Sequence, residues 1–257
     1  MREAFLVAAA VLAAACSTNP PPETPGPGVW EEAPPGVPGV ALNYAMARGG
    51  ERAAPLTEEL GLVPGGLGDT ALVQLLRHPL ALPAHLAVGI LYLPARQTWY
   101  DNWWGGSALS LTESQELAES TVAVLSRSPR VSRAAVLPPF VLGDKHTVEA
   151  IREGAARFQA DVMLVYRPGC RVFRREPFIG RTEWKSVCTV EAVAVDTRTG
   201  LLPFARVVTK QDISHRTKDD ATEAATVERS QTAAIQAALA DVGLQLGSVL
   251  VTVPVEP

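Results

Sequence analysis

Residues 182–207, TEWKSVCTVEAVAVDTRTGLLPFARV, predict two antiparallel strands joined by a tight turn. Successive side chains of a strand point to opposite faces, so alternating apolar and polar residues give one covered face and one solvated face. The turn DTRTG at 196–200 ends in a glycine that is able to adopt a left-handed conformation. The residues predicted to share the covered face are Trp184, Cys188, Val190, Ala192 and Ala194.

Upstream of this hairpin, three short apolar segments alternate with two segments of helical periodicity. The apolar segments are residues 85–93, 133–137 and 161–167, and the helical segments are residues 112–125 and 148–158. Strands that alternate with helices favour parallel pairing through right-handed crossovers.

Downstream of the hairpin, an Ala-rich segment from Asp219 to about Val242 carries an apolar stripe at helical spacing. This stripe predicts a C-terminal helix. The whole pattern therefore predicts an α/β (α+β) fold, a mixed β-sheet with helices packed on it. Its expected order is β-α-β-α-β, then an antiparallel hairpin and the C-terminal helix.

The composition suits one folded domain with an irregular segment. The chain has 257 residues, of which 47% are hydrophobic and 19% charged, with 20 Gly and 21 Pro. The formal net charge is −4, so the overall charge gives no support for nucleic-acid binding. We expect no nucleic-acid partner.

The N-terminal sequence MREAFLVAAAVLAAAC predicts an export signal over residues 1–15. Its uncharged stretch, residues 4–15, would span roughly 18 Å as a helix, against the ~30 Å hydrocarbon core of a bilayer. That length is typical of the apolar region of a secretory signal peptide rather than of a transmembrane helix.

The residues AAAC at 13–16 resemble the lipobox of bacterial lipoproteins, with Ala13 where the usual pattern has Leu. The resemblance implies cleavage before Cys16 and acylation of Cys16, which anchors a protein stably in a membrane. Ser17 follows at the position where Asp would suggest inner-membrane retention, so we expect a cell-envelope protein in the outer membrane, facing the periplasm. The alternative is an ordinary signal peptide that happens to end in Cys.

Residues 17–39 carry eight Pro and four Gly, a composition that predicts an extended tether without a packed core. We therefore divide the chain into four parts. These are a signal peptide (1–15), a lipidated Cys with a Pro-rich tether (16–39), an irregular lead-in (40–84) and a periplasmic α/β domain (85–257).

Three segments, LPAHLAVGILYLP at 82–94, IREGAARFQADVMLVYR at 151–167 and the hairpin at 182–207, together resemble the predicted bacterial lipoproteins called rhombotarget lipoproteins. The resemblance concerns the order and character of the segments, and it implies a surface-anchored lipoprotein without assigning an activity. The element order is also similar to the α/β domains of the curli-secretion lipoprotein and of lipoproteins that activate penicillin-binding proteins. That similarity is an analogy of fold and not of function.

The sequence contains no motif that would indicate catalysis or a metal site. The four histidines, His78, His85, His146 and His215, follow neither HxH nor HExxH spacing, and no GxSxG or SxxK sequence occurs. We expect no enzymatic activity, no cofactor and no metal. The alternative is an envelope hydrolase whose catalytic residues come together only in the folded chain.

Cys170 and Cys188 are the thiols that remain once Cys16 is acylated, and an exported protein meets oxidising conditions. Cys170 lies just past the third predicted strand and Cys188 lies on the next strand, which makes a disulfide between them a candidate. The alternative is two independent small core residues.

Two surface features are candidate binding sites. The first is the aromatic loop, which we define by Trp99, Tyr100, Trp103 and Trp104, because exposed aromatic side chains are enriched in interfaces. The alternative is a loop that folds back onto the core. The second feature is a run of cations that would meet an anionic lipid or glycan, or would simply be a solvated loop. Its members are Arg167, Arg171, Arg174, Arg175, Arg181 and Lys185.

The sequence thus predicts a non-enzymatic lipoprotein, held in the membrane through Cys16, whose α/β domain contacts a protein or glycan partner in the envelope. An alternative is an oligomeric assembly or secretion subunit similar to the curli-secretion lipoprotein, and another is the envelope hydrolase.

Overall fold

The computed structural model describes residues 30–32, 56–62, 73, 76–77, 80–93, 111–138, 141–142 and 146–256. The strands in this part of the chain are β1 (Glu31–Glu32), β2 (Leu86–Tyr92), β3 (Val131–Val136), β4 (Val162–Arg175), β5 (Glu183–Asp196) and β6 (Phe204–His215). The helices are α1 (Leu56–Glu59), α2 (Leu111–Leu125), α3 (Val148–Arg157) and α4 (Glu223–Thr252).

Five strands form a mixed sheet in the order β3-β2-β4-β5-β6, which confirms the predicted fold class. β2 lies between β3 and β4 and is parallel to both, as a helical crossover requires. β4, β5 and β6 are antiparallel neighbours. At the turn after β5, Gly200 has a φ of 76° and its N–H donates to the carbonyl of Asp196, so the left-handed residue stands where the sequence placed it.

Helices α2 and α4 cover one face of the sheet. The predicted inward face of β5 lies under them, with Trp184, Cys188 and Val190 buried. α2 and α4 also approach each other closely. A Cβ added at Gly243 on α4 would lie only 2.9 Å from Cγ1 of Val124 on α2. The small residues of the Ala-rich helix therefore allow a thin layer of two helices on the sheet.

Helix α3 and residues 56–62 cover only part of the opposite face. Met163, Val165, Val193 and Val195 are buried there. Farther along the same strands no described element covers this face, and on β6 Val207 and Ile213 are exposed. Among the described residues, the part of the antiparallel strands nearest the turn between β4 and β5 is thus covered on one side only, as the alternation at the start of β5 predicted.

Strand β4 continues well beyond its predicted end at residue 167. The sequence Pro168-Gly169 is typical of a turn, yet Pro168 pairs in register with Val190 of β5. On the other side of β4, pairing with β2 ends at Tyr166, and the next described pairing is with β1 at Phe173. A proline is tolerated where one edge of a strand has no hydrogen-bonding neighbour.

Helix α4 is 30 residues long, and by length and composition alone it is apolar enough to cross a membrane. In the structure its apolar stripe packs on the sheet instead. The stripe includes Ile235, Leu239, Val242 and Leu246, all fully buried. The stripe predicted for the C-terminal helix therefore builds the core, and the helix runs ten residues past its predicted end.

Two elements arise from segments that the sequence left irregular. β1 lies in the predicted tether and pairs antiparallel with the end of β4. α1 lies in the predicted lead-in, where Leu56 and Leu60 are buried beneath the sheet. The folded unit therefore includes residues from both segments.

Candidate functional site

The disulfide joins the centres of β4 and β5. Cys170 lies directly opposite Cys188 in the strand register, and their sulfurs are bonded at 2.10 Å. Both residues are buried beneath α4, where the carbonyl of Gln231 lies 3.7 Å from Sγ of Cys188. A closed loop of this length stabilises a protein by about 3 kcal/mol. The bond braces the hairpin that β4 and β5 form.

The run of cations is mostly strand rather than loop, because β4 extends to Arg175. Arg167 is the clearest departure from the sequence interpretation, since its side chain is only 5% exposed and donates to Glu191 at 2.8 Å. Its charge is therefore balanced inside the protein. Arg171 is exposed on β4, with its guanidinium 5.2 Å from the ring of Phe173.

The loop between β4 and β5, residues 176–182, carries two exposed apolar side chains at its centre. Phe178 is 89% exposed and Ile179 is 86% exposed, more than any other large hydrophobic side chain in the described residues. Gly180 follows with a φ of 127°, a conformation that favours glycine, and completes the reversal. We call residues 176–182 the hairpin tip.

β1 brings the N-terminal segment to the same end of the domain. Glu31 pairs with Arg174 and Glu32 pairs with Phe173, so the chain enters the sheet beside the hairpin tip and runs away from it. Trp30 lies under two cations of the run, 4.6 Å from the guanidinium of Arg175 and 5.7 Å from Nζ of Lys185. These cation–π contacts hold the entry point in place.

Two arginines at the base of the hairpin tip are paired with acids. Arg174 pairs with Glu176, and Arg175 pairs with Glu183 through two nitrogen atoms. Arg181, within the tip itself, is exposed. An apolar point with two paired arginines at its base is suited to a partly apolar surface and not to a strongly anionic polymer.

A polar network fixes the start of α4 beside the end of β6. Asp220 accepts hydrogen bonds from Nη2 of Arg229 at 2.8 Å and from the backbone N–H of Thr217 at 2.7 Å. These contacts, the guanidinium of Arg229 foremost, hold the pKa of Asp220 well below its usual range. The network is fully explained by its role at the helix start, with Thr222 as the N-cap.

The structure describes only some of the candidate site residues. Cys16, Trp99, Tyr100, Trp103 and Trp104 lie outside the described residues. Within the described part of the chain, no group of three or more His, Cys, Asp or Glu side chains is placed to hold a metal ion. Sequence reasoning passed over Phe178 and Ile179, although two adjacent apolar residues between predicted strands are a usable signal of an exposed point.

No protein-family model and no curated protein matches the chain. Among solved structures, a hypothetical protein from Chlamydia trachomatis has a TM-score of 0.38 at 9% identity, over 65% of this chain and 98% of that one. PelC from Paraburkholderia phytofirmans, described as a dodecamer, has a TM-score of 0.35 at 12% identity, over 66% of this chain and 94% of that one. A minor lipoprotein from Acinetobacter baumannii has a TM-score of 0.32 at 10% identity, over 68% of this chain and 99% of that one. These scores are too low to bear on function, and the resemblance to rhombotarget lipoproteins stays a prediction.

Proposed function

We propose that this chain is a lipid-anchored envelope protein, acylated at Cys16 and related to the rhombotarget lipoproteins, that works without catalysis. Its α/β domain contacts another envelope component on the periplasmic side of the outer membrane. The observation that carries the proposal is the sequence AAAC at 13–16 after an apolar segment too short to span a bilayer.

The structure of the domain supports an exported location. The bond between Cys170 and Cys188 suits an oxidising compartment such as the periplasm. The chain that follows Cys16 leads into the sheet at Trp30, so an anchor there would hold the domain by one defined end.

Intact-mass analysis and membrane fractionation of the full-length protein, expressed in a bacterium with an outer membrane, test the anchor. We expect a mature chain that begins at Cys16, carries added acyl mass and remains with the membranes. Cys16→Ala removes the acyl mass, whereas Ser17→Ala, the matched control next to it, retains it. A wild-type chain that is cleaved without acyl mass and released as soluble protein refutes the proposal.

The aromatic loop is the proposed contact with the partner. Photo-crosslinking in cells from a reactive group placed at Tyr100 should give a discrete adduct with an envelope protein or glycan. Replacing Trp99, Trp103 and Trp104 with Ala should abolish that adduct without changing the melting temperature. An unchanged adduct, or a domain that no longer folds, assigns the tryptophans to another role.

A second candidate function, an oligomeric assembly subunit, is favoured by β6. It is the outermost strand on its side of the described sheet, and Val207 and Ile213 are exposed on its open face. A long edge strand with apolar side chains is a template for pairing with another chain. Light scattering in detergent should then show oligomers that Val207→Lys disrupts, whereas a monomer at every concentration excludes this function.

A further inference from the structure

The hairpin tip is the feature that the proposed function leaves unexplained. Isolated exposed apolar side chains are ordinary on protein surfaces. Phe178 and Ile179 differ because they are adjacent, almost fully exposed and carried at the end of a hairpin that a disulfide braces. Both side chains therefore lie beyond the last pair of the hairpin, Arg175 with Glu183.

The point at which the chain enters the sheet favours an anchor on the side of the hairpin tip. Because Glu31 pairs with Arg174 and Glu32 with Phe173, the described chain enters the sheet at Trp30, at the tip end. From Cys16 to Trp30 the chain spans at most about 43 Å in an extended polyproline form. A domain tethered this way meets the bilayer most easily with the hairpin tip.

We propose that Phe178 and Ile179 insert into the interfacial region of the bilayer that holds the acyl chains of Cys16, with the side chain of Arg181 at the level of the lipid headgroups. The inference rests on the proposed lipid anchor for its orientation. The chemistry of the tip fits a lipid surface because an apolar pair is followed by a long cationic side chain whose charge can remain in the headgroup layer.

The contact is weak by itself and becomes effective through the tether. Burial of one Phe and one Ile side chain gives a dissociation constant of roughly 1 mM, which is too weak to recruit a free protein. A short tether raises the local concentration of the tip into the same millimolar range. The tip therefore orients a domain that the anchor already holds.

Depth-dependent fluorescence quenching tests the insertion on the full chain. Ile179→Cys, labelled with an environment-sensitive dye while the disulfide is intact, is reconstituted in phosphatidylethanolamine and phosphatidylglycerol vesicles with brominated acyl chains. Leu244→Cys is the matched control, because Leu244 is also an exposed apolar residue and lies about 25 Å along α4 from Val227, which packs beside the tip end of β4 and β5.

We expect strong quenching at position 179 and none at position 244. Adding Phe178→Ser to the labelled Ile179→Cys chain should weaken the lipid contact by roughly 10-fold to 100-fold without lowering the melting temperature. Equal quenching at the two positions, or none at either, overturns the inference. A tip that binds a protein instead gives no quenching in vesicles that contain lipid only, which also overturns it.

Failure of the anchor is recognised separately. If intact mass shows no acyl group on Cys16, the proposed function fails. Cys16→Ala is then added to the Ile179→Cys chain, so that the dye reacts only at position 179, and the labelled chain is added to the same vesicles at several times the ~1 mM lipid that half-saturates an unanchored tip. Quenching at position 179 under these conditions still supports lipid insertion. No quenching there refutes it whatever the fate of Cys16.

Discussion

Glu191 accepts a hydrogen bond from the guanidinium of Arg167, with Oε2 and Nη2 2.8 Å apart, and balances a cation that the fold buries. The same Oε2 accepts the backbone N–H of Leu56 at 3.0 Å. One carboxylate on β5 therefore joins the sheet to the first residue of α1, far away in the sequence. It explains how a segment of irregular composition becomes part of the buried apolar cluster on the face of the sheet that α3 covers.

Glu191→Ala should lower the free energy of unfolding by about 2 kcal/mol, because Arg167 keeps its charge and loses an ionic hydrogen bond. Amide exchange around Leu56 should also become faster. The matched control is Glu153→Ala on α3, which breaks an exposed pair with Arg157 and should cost less than about 0.5 kcal/mol. Equal losses in the two variants, by urea denaturation, would contradict the role given to Glu191.

Arg130 holds the end of α4 to the segment before β2. Its guanidinium is buried and donates to the carbonyls of Leu250, Val253 and Pro254 on one side and of Leu82 and Pro83 on the other. Arg130→Lys should lower the free energy of unfolding by about 3 kcal/mol, because an ammonium group cannot reach carbonyls spread around a planar fork.

Arg127 provides the control for Arg130, because it is exposed and lies in the same connection between α2 and β3. Arg127→Lys retains the charge near the end of α2 and should leave the midpoint of urea denaturation unchanged. A similar small effect for Arg130→Lys would show that the five carbonyls are satisfied without the guanidinium.

Burial in this fold could be predicted where one strand carries a clear alternation. In β5, Trp184 and Cys188 point to the core and Glu183 and Lys185 do not, because side chains change face at every residue. The pairing of β1 could not be predicted in this way. β1 pairs with β4 over two residues through the backbone, and backbone hydrogen bonds leave no hydrophobic pattern in the sequence.

In the candidate site, too, some features could be predicted from the sequence and others could not. Proximity of Cys170 and Cys188 could be argued from neighbouring strands. The pairing of Arg167 with Glu191, however, depends on the register that brings β4 against β5, and a run of cations read in sequence does not reveal which member turns inward. Phe178 and Ile179 could have been found from sequence, since they interrupt a polar segment between two strands.

Tyr166 carries a buried hydroxyl for which the described residues offer no hydrogen-bond partner. Burial, with Tyr92 nearby, raises the pKa of Tyr166 well above its usual value. The unfolded chain therefore loses this proton first as the pH rises past about 10, and stability falls from there upward. Tyr166→Phe should leave the free energy of unfolding unchanged at neutral pH, or raise it by up to about 1 kcal/mol. The variant should also lose less stability than the wild type above about pH 10. A lower free energy of unfolding for Tyr166→Phe at neutral pH would reveal a partner for the hydroxyl.

Asp220 should make the start of α4 sensitive to acid. Its pKa lies below that of an unfolded Asp because Arg229 and the backbone N–H of Thr217 stabilise the carboxylate. A carboxylate with a lowered pKa stabilises the folded protein at pH values above the pKa that Asp has in the unfolded chain. That stabilisation is lost as the pH falls below about 4. Asp220→Asn should therefore melt at a lower temperature than the wild type at pH 7, with the difference in melting temperature narrowing toward pH 3.

The neighbouring exposed residue, Asp219, gives the control, because Asp219→Asn should melt like the wild type at every pH. A difference between Asp220→Asn and the wild type that stays constant with pH would mean that the hydrogen bonds matter and the charge does not.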